Sequence, residues 1–201
     1  MNYLKNLTAA GVLMLAAGGC LAAQNNTAEL FGGYSYAKIN PESALPKESA
    51  HGWVGSAAGY ANKWFGAGVE IAAHFGDITP PASAPSLHFK EYSYLAGPQF
   101  RFVNTEKAQV AFRLFLGGVF GQVNLDSSTT PAQSQALGTA GYNSFNGTKF
   151  AMLAAVPIDF TLSRLFALRV EPGLYMTAFN KEKQNNIRFS VGPVFRFGGG
   201  K

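Results

Sequence analysis

The residues whose types could do chemistry are few, and three of them are histidines. His51, His74 and His88 each fall toward one end of an alternating segment, with Asp77 close by in the chain. A metal site or a hydrolytic centre at the mouth of a barrel would use such a set. His51 and His74 sit on opposite parities of their segments, so one shared centre is not expected, and neither a metal ligand set nor a catalytic group is assigned. Gly117, Gly118 and Gly121 do not make the spacing of a dinucleotide loop, and no helix follows them. They read as small residues at a tight crossing of strands. Nothing in the chain calls for a cofactor.

A second set is more coherent. Glu70, Asp159 and Glu171 and the arginines Arg101, Arg113, Arg169, Arg188 and Arg196 each stand on the less apolar parity of an alternating segment. Charges that share the interior of a small fold must pair, because an isolated buried charge is costly. Arginine suits that role because its planar fork can bridge two carboxylates, and lysine here is mostly left to loops and segment ends. The expectation is a charge network that closes a lumen.

The elements that must position these residues are strands. From Phe150 to Leu162 the even positions Phe150, Met152, Ala154, Val156, Ile158, Phe160 and Leu162 are apolar or small. The odd positions include Asp159 and Thr161. After a break at Ser163 and Arg164, Leu168, Val170, Pro172, Leu174 and Met176 oppose Arg169, Glu171, Gly173, Tyr175 and Thr177. A period of two is a β-strand. The charged parity mixes Gly, Ala and Ser with a few opposite charges, which suits a crowded interior better than a solvated face. The apolar parity is therefore read as facing lipid, so that Ile158 and Val170 lie near mid-strand on the outside.

The same alternation recurs along the chain. Strands are expected at about 28–39, 51–61, 64–76, 89–103 and 108–123, then the hairpin within 149–178, and last a strand from Ile187 to Phe197. That makes eight. Connections alternate between short ones (62–63, 104–107, 163–164) and longer ones (40–50, 77–87, 124–148, 180–186). Outer-membrane barrels have this asymmetry, with tight periplasmic turns and larger external loops. Outward aromatics near strand ends (Tyr34, Tyr36, Trp53, Trp64, Tyr92, Tyr94) fit interfacial girdles, whereas Tyr175 faces inward.

Composition is compatible with this and excludes some partners. The 201 residues include 23 glycines and only 13% charged residues, enough for one β-rich domain. Mean hydropathy is +0.04, which excludes nothing for a barrel whose two faces average out. The net charge of +5 is spread along the chain rather than clustered with aromatics, so nucleic acid is not an expected partner.

Residues 1–22 read as a secretory signal peptide: Lys5, an apolar run from Leu7 to Ala17, and small residues leading to a cut after Ala22. The apolar run is too short for a membrane helix. Cys20 is the one cysteine; Ala17-Gly18-Gly19-Cys20 resembles a lipobox with Ala where that motif prefers Leu, and ordinary cleavage is expected. The mature chain, 23–201, would then lack disulfides and thiol chemistry.

With these features in place, the chain resembles the small eight-stranded bacterial outer-membrane β-barrels of the OmpA/OmpX type. The resemblance is carried by the leader, by Phe31-Gly32-Gly33-Tyr34-Ser35-Tyr36, and by Arg188-Phe189-Ser190-Val191-Gly192-Pro193-Val194-Phe195-Arg196-Phe197. It departs at the end, where Gly198-Gly199-Gly200-Lys201 follows the terminal Phe197 that the assembly machinery reads in such barrels. The resemblance implies an all-β, antiparallel, up-and-down transmembrane barrel in the bacterial outer membrane. Its implied contacts are outer-membrane lipid and lipopolysaccharide and the barrel-assembly machinery, with an external partner reached through loops 40–50, 77–87 and 124–148. Some barrels of this size modify lipid A, and the deacylases among them pair His with Ser two residues later; no histidine here has that neighbour. The expected role is structural or surface-interacting, with a side-chain-filled lumen. The alternatives are a narrow porin-like channel, a lipid-modifying barrel enzyme, and a soluble lipocalin-like carrier with its apolar parity turned inward.

Overall fold

The computed structural model describes residues 28–39, 48–78, 87–125, 147–178 and 184–198. The leader expected at 1–22, its cleavage site and Cys20 lie outside them, as do the central parts of the four longer loops.

Eight antiparallel strands close on themselves. They are β1 (Ala28–Ile39), β2 (Glu48–Tyr60), β3 (Phe65–Ile78), β4 (Leu87–Asn104), β5 (Ala108–Leu125), β6 (Gly147–Ala155, resuming at Ile158–Thr161), β7 (Phe166–Thr177) and β8 (Gln184–Phe197). Each strand pairs with its neighbours in sequence, and β1 pairs with β8, Ala28 opposite Phe197, so no sheet edge remains along the wall. Closure matters here because an unpaired backbone group costs several kcal/mol in hydrocarbon. The strand expected as continuous through 156–157 loses its ladder there, since Pro157 has no N–H to donate. No residue is inserted: Ala155 faces Gly173 and Ile158 faces Val170. Val156 N still donates to Pro172 O (3.0 Å), and Ala111 N to Pro157 O (3.0 Å).

The three short turns share one device. Asn62 Oδ1 accepts from the backbone N–H of Trp64 and Phe65, each at 2.8 Å. Thr105 Oγ1 accepts from Ala108 N (3.0 Å), and Ser163 Oγ accepts from Phe166 N (3.1 Å). These residue types compete with the ladder for backbone groups, which is why they end strands. All three turns and both ends of the strand series lie at one end of the barrel; the strand ends that lead into the longer loops lie at the other.

The wall has two chemically distinct faces. Leu30, Phe100, Phe112, Leu116, Phe160, Leu168, Leu174, Ile187 and Phe195 are all exposed on the outside, while Glu29, Arg101, Arg113, Asp159, Arg169, Glu171 and Arg188 are buried inside. A soluble carrier would have the reverse arrangement, so that alternative fails on side-chain placement. At the loop end the strands run further than the alternation suggested: β4 and β5 have 18 residues each. At ~3.3 Å per residue and a tilt near 45°, such a strand rises roughly 40 Å, against an apolar band of about 25 Å. Their loop ends therefore stand clear of the bilayer.

Glycine sets the corner between β1 and β8. A Cβ on Gly33 would lie 2.3 Å from Val191 O, and one on Gly192 would lie 2.2 Å from Gly32 O, so only glycine lets these backbones approach. Gly117 is at a similar crossing, with Tyr94 O 2.1 Å from its missing Cβ. Its outward neighbour Gly118 is covered instead by the ring of Tyr94, the residue directly across on β4.

Candidate functional site: a tiered polar lumen

The interior residues form three tiers along the barrel axis. The tier nearest the turn end contains Glu29, Arg101, Asp159, Arg169 and Arg196. Arg169 makes a bidentate pair with Asp159, Nε to Oδ1 at 2.6 Å and Nη2 to Oδ2 at 2.8 Å, and also donates to Glu29 Oε2 at 2.9 Å. Arg101 Nη2 donates to Glu29 Oε1 at 2.7 Å, and Arg196 Nη2 to Asp159 Oδ2 at 3.0 Å. Two rings add to this: the Arg101 guanidinium lies 3.6 Å from the centroid of buried Tyr60, and that of Arg169 lies 5.2 Å from Phe31.

The middle tier is a four-membered ring of charges. Glu70 accepts from Arg188 (2.5 and 3.0 Å) and from Arg113 (3.2 Å). Glu171 contacts both arginines as well, Arg188 at 3.0 Å and Arg113 in direct contact. Each guanidinium thus spans two carboxylates, the geometry a planar fork provides and a lysine ammonium does not. Exposure of all four is 1%, so the ring is out of water. Two charges of each sign leave it neutral.

Toward the loop end the described interior residues include one carboxylate, Glu91, and no arginine, and this tier is partly apolar. Ser190 Oγ donates to Ser35 Oγ (3.1 Å), and Ser35 Oγ lies 2.9 Å from His74 Nε2. The other nitrogen of His74 is 3.8 Å from Glu91 Oε1, and Glu91 also meets Tyr175. Leu95, Phe115, Val119, Leu153 and Tyr175 form a buried apolar cluster. Ser35, His74 and Glu91 have the residue types of an acyl-transfer triad, but their exposures are 0, 0 and 3%. No carbonyl reaches Ser35 in this packing, and the nucleophile–base distance alone makes no active site.

The eight charged residues singled out in the sequence are all interior, and the structure sorts them into the two lower tiers. Arg101 meets none of the three acids named with it. Its partner is Glu29, whose inward parity on β1 was readable, although it was not included in the set. Glu91 was missed in the same way. With both included, the lumen holds as many carboxylates as arginines. The three histidines do not converge: His74 is buried inside, whereas His88 and His51 are on the outer wall, the first 2.7 Å from Asp77 Oδ1 and the second against the hydroxyl of Tyr34. Among the described residues no group of three or more His, Cys, Asp or Glu is placed to hold a metal.

No family model matches the chain, and no curated protein matches it. Solved structures do. Neisserial surface protein A aligns with a TM-score of 0.61 at 15% identity, over 87% of this chain and 98% of its own. The attachment invasion locus protein Ail of Yersinia pestis, solved with the heparin analogue sucrose octasulfate, aligns at 0.56 and 15%, over 86% and 99%. OprG from Pseudomonas aeruginosa gives 0.53 and 11%, over 86% and 96%. At such identities the likeness is one of fold. The fold is that of the small eight-stranded bacterial outer-membrane β-barrels, and the apolar exterior is what that location requires.

Proposed function

We propose that this chain is an outer-membrane barrel whose lumen is filled by side chains and whose role is structural or surface-interacting, carried by the external loops 40–50, 77–87 and 124–148, with no catalytic activity. The observation that supports a filled lumen is the pair of lower tiers: Arg101, Arg113, Arg169 and Arg188 with Glu29, Glu70, Asp159 and Glu171, each 4% exposed or less. Eight strands enclose an interior just wide enough for side chains to fill, and crosslinked charges fix those side chains in place. Ion flow would require these pairs to open and leave charges uncompensated. With the lumen closed, chemistry with the surroundings falls to the loop end, where β3, β4 and β5 project beyond the apolar band.

Planar-bilayer recording tests this reading. Wild-type barrel is expected to give no large, steady single-channel conductance. A steady conductance that persists across preparations would replace the filled lumen with a narrow pore.

A further inference from the structure

On the outer wall at the loop end, three strands of one stretch of the wall, β1, β2 and β4, pass from aromatic to cationic or hydrogen-bonding residues as they leave the bilayer. On β1 the outward series is Tyr34, Tyr36, Lys38; on β2 it is Trp53, His51, Ser49; on β4 it is Tyr94, Tyr92, Lys90, His88. Between β2 and β4, the strand β3 contributes Phe75 and Asp77, with Phe75 directly across from both His51 and Lys90. Ser49, His51, Phe75, Asp77, His88 and Lys90 line one groove. Its floor is apolar and continues downward: Phe75 stacks edge-on against Tyr92 at 6.0 Å between centroids. Its walls carry a lysine ammonium, two imidazoles and a hydroxyl. The single carboxylate, Asp77, is engaged by His88 at 2.7 Å.

We propose that this groove binds the phosphate of an outer-leaflet lipid headgroup. The inference rests on the reading of the chain as an outer-membrane barrel and goes beyond it by naming a site and a ligand. Tyr and Trp mark the depth of the headgroups, and the groove opens two to four residues beyond Trp53 on β2 and beyond Tyr92 on β4, at the height where a lipid phosphate lies. Lys90 supplies a cation, and the imidazoles of His51 and His88 and the Ser49 hydroxyl supply hydrogen-bonding groups for the phosphate oxygens, while His88 engages Asp77. The acyl chain of the same lipid would descend over Phe75, Tyr92 and Trp53, so one ligand satisfies both the polar walls and the apolar floor. A soluble polyanion would use the cations but leave that floor uncovered, which is why a lipid is the better fit.

The test uses folded barrel in nanodiscs of phosphatidylcholine doped with bis-phosphorylated lipid A or with its dephosphorylated form, with retained lipid counted by native mass spectrometry. Heat-modifiable gel mobility in each sample reports that the barrel is folded in the bilayer, so a failure of the barrel reading is seen separately. Wild type is expected to retain the phosphorylated lipid in preference. A charge near a membrane surface contributes about 1 kcal/mol, so Lys90→Gln should cut that retention roughly fivefold. Lys107→Gln removes the same charge at the turn end and should leave it unchanged. Equal retention of the two lipids, or an equal loss in Lys107→Gln, overturns the site. Displacement of the lipid by millimolar inorganic phosphate or by soluble heparin overturns the lipid assignment, in favour of a free anion or a glycan respectively.

Discussion

Replacing Glu29 by alanine tests the interior network at the residue on which its lowest tier depends. Glu29 Oε1 takes Arg101 at 2.7 Å, Oε2 takes Arg169 at 2.9 Å, and Arg196 Nε lies 3.7 Å away. Without it, Asp159 is the tier's one carboxylate, paired with Arg169 and Arg196, and Arg101 loses its acidic partner. Breaking a buried pair by removing one partner costs about 3–5 kcal/mol, because the remaining charge stays desolvated. The structure argues for the lower half of that range. Arg169 keeps its bidentate bond to Asp159, and Arg101 keeps the Tyr60 face at 3.6 Å. A loss of about 3–4 kcal/mol is expected in urea unfolding of the barrel in lipid vesicles. The double variant Glu29→Ala, Arg101→Ala should cost less than the sum of the singles, with a coupling of about 0.5–3 kcal/mol, since the second change removes the charge the first one stranded. Glu29→Ala within about 1 kcal/mol of wild type, with no coupling to Arg101, would refute the network as a source of stability.

Other expectations concern the wall and the middle tier. Ile158→Arg and Val170→Arg, which pair across β6 and β7 on the outer face, should each cost about 2–4 kcal/mol in lipid; wild-type stability in both would mean the faces are assigned wrongly. Gly33→Ala should destabilise by about 1–3 kcal/mol because its Cβ meets backbone, and Gly32→Ala, with nothing within 4 Å, should change stability by less than half as much. Equal effects at the two glycines in the same unfolding assay would remove the close approach as the reason for Gly33. In the middle tier, Glu171→Ala should strand part of Arg113 and Arg188 and admit water. Raised conductance over wild type in planar bilayers is the expected readout, and an unchanged trace would argue against it.

How much of this was legible beforehand follows from what is local in the chain. Alternation is local: a residue's face depends on its own parity, so Ile158 outside and Asp159 inside could be read from one stretch. Turns are local too. Asn62, Thr105 and Ser163 each close a turn with their own side chain, and the residue type announces it. Both properties need only the backbone geometry of a strand and its immediate neighbours. Partnership inside the lumen is not local. Arg169 and Glu29 are separated by 140 positions, and Ser190 and Ser35 by 155. Which interior side chains meet depends on the stagger between strands accumulated around the closed wall, and that is fixed only when β1 pairs with β8. The sequence by itself determined strands, faces and turn positions, and so the class of fold. Only closure decided that Glu29 would serve Arg101 and Arg169, and that Ser190 would meet Ser35 beside His74.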